Sequence, residues 1–219
     1  FAAADLADDV ADGDVRESLG LDVNDTCRLL FVQQLGLLAL ETSEARRVAL
    51  ARIFAEEGLE MAAGQELDLL GTDALTAADP LLIGRQKSGA EFAACFAAPA
   101  ATIGAPTEPL RAFGRAFGGL VQVLTDYFDL FLDPDSDDWQ AAKPSLPLRR
   151  GLAHPEHGPR LRALLAGDRQ ASKARGLWHL VRAGAADALE SATERAGAEM
   201  AAVEGASGCA ALLAEVRAE

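Results

Sequence analysis

An all-α fold is what this 219-residue sequence predicts, and three features predict it. Alanine and leucine dominate, aromatic residues make up only 5% of the chain, and no proline occurs before Pro80, so intrinsic propensity favours helix over sheet. Half of the residues are hydrophobic, which is enough for one sizeable core. No repeat and no linker divides residues 1–219, so one domain is expected.

The elements follow from periodicity and punctuation. Helical patterning runs through Asp25–Leu40 and Ser43–Leu70, where Glu44, Arg46, Arg47, Glu56 and Glu57 are expected to form a wet face. It pauses near Gly71-Thr72-Asp73 and resumes as one helix over Leu81–Ala98. A turn is predicted at Gly104-Ala105-Pro106, after which Thr107 caps a helix from about Glu108 to Phe131. Asp133-Pro134-Asp135-Ser136-Asp137-Asp138 is a loop by composition, and Pro144 and Pro147 punctuate the segment after it. Gly158–Ala166, Ala171–Ala183 and Ala186–Ala202 are amphipathic, and a last short helix starts at Cys209. The chain opens at Phe1 already inside a helical pattern, so a preceding segment is expected.

The formal charge is −14, from 34 acidic and 20 basic residues, and no basic stripe could neutralise a phosphate backbone. Nucleic acid is not an expected partner. The carboxylates form either a soluble, self-repelling surface or a cation site. Cys27, Cys95 and Cys209 lack disulfide or zinc-ligand spacing, which fits a reducing, cytoplasmic location. Apolar stretches such as Leu29–Leu40 and Phe92–Ala101 are too short to span a bilayer.

Two acidic clusters carry the candidate chemistry. Asp8 and Asp12 are four residues apart, within roughly 40° of one another on a helix, and Asp9 lies beside them. Like charges at that spacing destabilise a helix unless a hard cation with oxygen ligands offsets them. Asp5 and Asp14 lie nearby, so a solvated acidic turn is the alternative. Asp126 and Asp129 sit near the C-terminal end of an apolar, aromatic-flanked helix, where the helix dipole disfavours negative charge. Their position is costly without a cation.

Five segments in order resemble the motifs of the trans-isoprenyl diphosphate synthases. They are Asp8-Asp9-Val10-Ala11-Asp12, Gly64-Gln65-Glu66-Leu67-Asp68, Lys87-Ser88-Gly89, Val121 to Asp129 with Gln122 and Thr125-Asp126, and Asp138 to Pro147 with Lys143-Pro144-Ser145. The family reads Asp-Asp-x-x-Asp, Gly-Gln-x-x-Asp, Lys-Thr-Gly, Phe-Gln-x-x-Asp-Asp-x-x-Asp, and an Asp followed by Gly-Lys-x-Thr-x-Pro. The chain departs from this pattern at Thr125, which replaces an aspartate, and at Arg16, which stands alone where the family has paired arginines.

The resemblance implies an antiparallel helical bundle of the isoprenoid synthase type around a central apolar cavity, here apparently lacking the family's N-terminal helices. It implies a prenyltransferase that ionises an allylic prenyl diphosphate with up to three Mg2+ ions and condenses it with isopentenyl diphosphate to a longer trans-prenyl diphosphate. Transfer to a non-isoprenoid acceptor, terpene cyclisation, or a non-catalytic synthase subunit are the alternatives. By the same resemblance Asp8, Asp9, Asp12, Asp126 and Asp129 would hold metal, and Asp8, Asp12, Lys87 and Asp126 would be catalytic. Arg16, Lys87, Gln122 and Lys143 would bind diphosphate. A homodimer is implied as well. Small residues at Ala2, Ala3 and Ala4 would leave a tail tunnel open and favour a longer product.

Other conspicuous residues have plainer roles. His154, His157 and His179 show no partner pattern, and Trp139 and Trp178 are expected in packing or a lid. Gly118-Gly119 suggests close helix approach rather than phosphate binding, since no strand precedes it.

Overall fold

A computed structural model describes residues 2–12, 19–70, 79–131, 145–156 and 158–166, with 194, 197–198 and 201 as isolated positions. The described segments form α1 (Ala2–Asp12), α2 (Leu19–Ala39), α3 (Glu44–Leu70), α4 (Pro80–Gln86), α5 (Ser88–Ile103), α6 (Glu108–Phe131), α7 (Leu146–Ala153) and α8 (Gly158–Ala166). No strand occurs among them, so the all-α expectation holds. The expected helices at Ala171–Ala183, Ala186–Ala202 and after Cys209, the 133–138 loop, His157, His179, Trp139 and Trp178 lie outside the described residues or almost entirely so.

The core is organised around the α5–α6 pair. Ala90, Ala93 and Ala97 on α5 are essentially inaccessible to solvent, and Ala93 and Gly89 of this helix meet glycines on α6. A Cβ at Gly114 would lie 2.6 Å from the Ala93 Cα, and one at Gly118 would lie 2.7 Å from the Gly89 Cα. Only glycine permits backbones this close, and the approach confirms the packing role expected of Gly118. Phenylalanines lock the same seam, with Phe96–Phe113 and Phe92–Phe117 in edge-to-face contact at 4.9 and 5.0 Å between ring centroids. On the other side of α5, Leu50 and Ile53 of α3 and Leu37 of α2 pack on Ala94, Ala97 and Ala101.

The helix expected over Leu81–Ala98 is two helices, and it extends further than its proline suggested. Asp79 caps α4 by accepting a hydrogen bond from the Leu81 amide at 3.1 Å, with Pro80 in the first turn. The chain then breaks at Lys87, whose ψ of −96° leaves the helical region, before α5 begins. A one-residue break between good helix formers leaves no mark on hydrophobic periodicity. Pro99 does not end α5, which runs on to Gly104 at φ +77°, where the Ala105 amide closes on the Ala100 carbonyl at 2.9 Å.

A second correction concerns Glu57, expected on the wet face of α3. It is 1% exposed and faces α6. Exposed apolar side chains are frequent on α2, where Phe31, Leu35 and Leu38 are 71%, 65% and 71% accessible. Among the described residues no helix is long and apolar enough to cross a membrane.

Candidate active site

A cavity of about 900 Å3 is lined by residues of α1 to α6 and by the buried Ser145. Four aspartates from three helices line one end: Asp8 of α1, Asp68 of α3, and Asp126 and Asp129 of α6. The sequence places Asp126 and Asp129 about one turn apart, and α6 turns both toward the cavity. Ala3, Ala4, Ala7, Met61 and Ala62 give the lining apolar surface as well.

Lys87 stands among these acids because of the break that separates α4 from α5. Its ammonium lies 3.1 Å from Asp8 Oδ1 and 3.0 Å from Asp68 Oδ2, tying α1, α3 and α5 together. Burial alone would lower its pKa; the charges of Asp68 and Asp8 outweigh burial and hold it above the ordinary lysine value. Gly64 makes the arrangement possible. A Cβ there would lie 2.8 Å from the Gln86 Cβ and 2.9 Å from the Lys87 amide, so α3 presses directly on the break.

Asp126 is held differently. It is 9% exposed, accepts a 2.9 Å hydrogen bond from Gln122 Nε2, and receives the Leu146 amide at 3.4 Å. Gln122 is oriented in turn by the Ser88 hydroxyl, which donates to Gln122 Oε1 at 2.6 Å. Burial pushes the Asp126 carboxyl up to about 6; the Gln122 and Leu146 donors offset part of that, while Asp68 and Asp129 add to it. This is a carboxylate whose charge is only partly provided for by protein donors, consistent with the cost expected from its position on the helix.

Thr125 turns away from this chemistry. Its hydroxyl donates to the Val121 carbonyl at 3.1 Å, a bond to its own helix, although the residue still borders the cavity. Asp9 is exposed and outside the cavity lining, since a one-residue step turns a helix by about 100°. Asp12 ends α1, and its side chain, like Arg16 and Lys143, lies outside the described residues. Among the described residues, no group of three or more His, Cys, Asp or Glu side chains is close enough to hold one metal ion. His154 accepts from the Glu156 amide at 3.3 Å, in keeping with a loop role, and Cys27 and Cys95 are exposed free thiols.

Three contributors were not singled out from sequence. Asp68 lies in the Gly64 to Asp68 segment but was given no role there; its ion pair with Lys87 gives it one. Ser88 follows Lys87 in a recognised segment, and its hydroxyl sets Gln122. Glu57 had no sequence signal beyond being a charge on a helix.

Comparison with known proteins agrees with this architecture. Residues 6–179 match the family profile described as Polyprenyl synthetase. The fold is similar to that in the crystal structure of geranylgeranyl pyrophosphate synthase, with a TM-score of 0.73 and 19% sequence identity over 89% of this chain and 69% of that one. No curated protein matches the sequence at a significant level.

Proposed function

The chain belongs to the polyprenyl synthetase family of trans-prenyltransferases, and from that premise we propose that it ionises an allylic prenyl diphosphate with magnesium and condenses it with isopentenyl diphosphate. The observation that carries the proposal is the meeting of Asp8, Asp68, Asp126, Asp129 and Lys87 at one end of a cavity that is also lined by apolar side chains of α1 and α3. Such a cavity receives a ligand with one strongly charged head and a hydrocarbon tail.

The residues present fit magnesium. Mg2+ favours hard oxygen donors and is commonly held by one or two carboxylates together with substrate phosphates, rather than by a complete protein cage. Asp8 on α1 and Asp126 with Asp129 on α6 supply such carboxylates from two walls, and Asp126 carries a charge that burial disfavours. Asp9 and Asp12 belong to the proposed metal set as well. When bound, magnesium supplies electrostatic stabilisation of the departing diphosphate.

The protein's own part is positioning and charge. Lys87 exchanges its pairing with Asp8 for the diphosphate, placing positive charge where negative charge develops as the carbon–oxygen bond breaks. Gln122, fixed by Ser88, keeps Asp126 oriented toward the head group. Arg16 and Lys143 are proposed to contact the diphosphates. Ala3, Ala4, Ala7, Met61 and Ala62 surround the tail and exclude water from the allylic cation. The exposed stripe of Phe31, Leu35 and Leu38 on α2 supports a homodimer formed through that face.

Thr125 favours a second outcome, in which the same ionisation delivers the cation to another acceptor or into a ring, because its hydroxyl is committed to Val121 rather than to the head group. One assay separates the two. Purified protein is given magnesium and labelled geranyl or farnesyl diphosphate, with and without isopentenyl diphosphate. Elongated products support condensation; diphosphate release or cyclic hydrocarbon without isopentenyl diphosphate supports the second outcome. If neither substrate is consumed and Asp8→Ala leaves magnesium-dependent diphosphate binding unchanged, the chain is not an active prenyltransferase.

A further inference from the structure

The break between α4 and α5 is held by two other helices at once. On α3, Glu60 accepts a 3.3 Å hydrogen bond from Gln86 Nε2, Asp68 receives the Lys87 ammonium, and the buried Gly64 lies against the backbone between them. On α6, Gly118 presses on the residues that follow, and a Cβ there would lie 2.6 Å from the Ser88 carbonyl carbon. Residues 86–87 are thus fitted to α3 and residues 88–89 to α6, in both cases through a glycine.

Resting on the proposed prenyl diphosphate chemistry, we propose that Gly64 is a positioning residue for the diphosphate: it sets the Lys87 ammonium by keeping α3 bare at the break, and it acts on the ligand through that lysine alone. A methyl group at position 64 would stand 2.8 Å from the Gln86 Cβ, 2.9 Å from the Lys87 amide nitrogen and 3.0 Å from the Gln86 carbonyl carbon. Contacts of this kind favour about 3.5–4.0 Å, so the break would have to give by about 0.5–1 Å. Two of the three atoms are backbone, and no change of rotamer relieves them. The neighbouring turns resist as well. The Lys87 amide closes α4 on the Ile83 carbonyl at 2.8 Å, and Ser88 is held by Gly118. The adjustment therefore falls on the dihedrals of Lys87, the residue that already leaves the helical region at ψ −96°. Its ammonium, now 3.0 Å from Asp68 and 3.1 Å from Asp8, moves away from the place where it would meet a diphosphate. A misplacement of about 1 Å at a reacting site can cost about a hundredfold.

A double-variant cycle tests this. Farnesyl thiolodiphosphate, which resists ionisation, is titrated calorimetrically with magnesium into the wild type, Gly64→Ala, Lys87→Met and the double variant, and thermal denaturation identifies the folded ones. Gly64→Ala alone weakens binding at least about tenfold. In the Lys87→Met background the same change costs less than about twofold, because the group through which it acts is gone. Equal fold-losses in both backgrounds, or no loss in a folded Gly64→Ala protein, overturn the inference. The second readout needs no ligand: acetylation of Lys87 in the metal-free protein, followed by mass spectrometry, is severalfold faster in Gly64→Ala than in the wild type, and an unchanged rate overturns the inference too. Adding Gln86→Gly removes the nearest of the three atoms, so Gly64→Ala with Gln86→Gly recovers part of the affinity and of the protection of Lys87; it takes the place of the single variant if that one does not fold. If neither folds, Gly64 serves the fold at large and the inference falls. Failure of the thiolodiphosphate to bind the wild type sinks instead the prenyl diphosphate chemistry, and the acetylation rate still decides whether Gly64 sets Lys87.

Discussion

Replacing Asp126 by asparagine should make the metal-free protein more stable while removing its ability to bind a magnesium–diphosphate head group. The folded carboxyl has a pKa of about 6 against an ordinary 3.8, because burial disfavours its charged form. Between those two values the unfolded chain has lost the proton and the folded chain still holds it, so unfolding releases a proton and stability falls as pH rises. At about 1.4 kcal/mol per pH unit the accumulated loss is about 3 kcal/mol by neutral pH. Asparagine has no charge to bury, and its carbonyl can keep the Gln122 bond at Oδ1. Its amide group would then face the Leu146 amide that now donates to Oδ2, a donor against a donor that costs about 1 kcal/mol. The net expectation for Asp126→Asn is a gain of about 2 kcal/mol at pH 7.5, vanishing or reversing toward pH 4. Urea denaturation followed by circular dichroism in the presence of a chelator, at both pH values, measures it. An Asn variant less stable than wild type at pH 7.5, or a difference that does not change with pH, would refute the view that Asp126 is a buried charge held at a cost. Magnesium with a thiolodiphosphate should raise the melting temperature of the wild type and not of the variant, so stability and function trade against each other at this position.

Other positions give independent checks. Lys87→Met should lower magnesium-dependent affinity for a prenyl thiolodiphosphate by about a hundredfold, the order expected for losing a partly buried charge-assisted contact, and titration calorimetry reads it. Gly118→Ala should cost about 1–3 kcal/mol or more, because the new methyl meets the backbone of Ser88 and Gly89 rather than a movable side chain; the urea midpoint reports it, and a neutral result would mean that the helices can part freely. Leu35→Glu with Leu38→Glu should halve the apparent mass in sedimentation if the α2 stripe joins two copies, whereas an unchanged mass removes that face from consideration. Arg28→Ala, which breaks an exposed pair with Asp25, should shift stability by less than about 0.5 kcal/mol.

Much of this molecule was legible in one dimension. The helices α3 and α6 follow from periodicity, and α6 starts at Glu108 as expected from the turn before it. The resemblance carried by five short segments points to the same family that the profile match over residues 6–179 shows. Asp8, Lys87, Gln122, Asp126 and Asp129, which the motifs single out, all line one cavity. Local sequence could do this because helix formation and motif spacing depend on neighbours a few residues apart.

What lay beyond the sequence depends on contacts between distant residues. The break at Lys87 has no local cause as strong as a glycine or proline. It is explained by Gly64 of α3 pressing on the backbone and by Asp8 and Asp68 receiving the ammonium. Glu57 and Glu56 are adjacent charges on one helix, yet Glu57 is buried and Glu56 is half exposed, because only Glu57 points at Arg111 and Arg115 more than fifty positions away. The kind of residue and the helix that carries it were therefore determined by the sequence alone. Which carboxylates face the cavity, which one is paired with lysine and which is left charged in a dry wall were decided by tertiary packing, since desolvation and charge pairing depend on what surrounds a group in space.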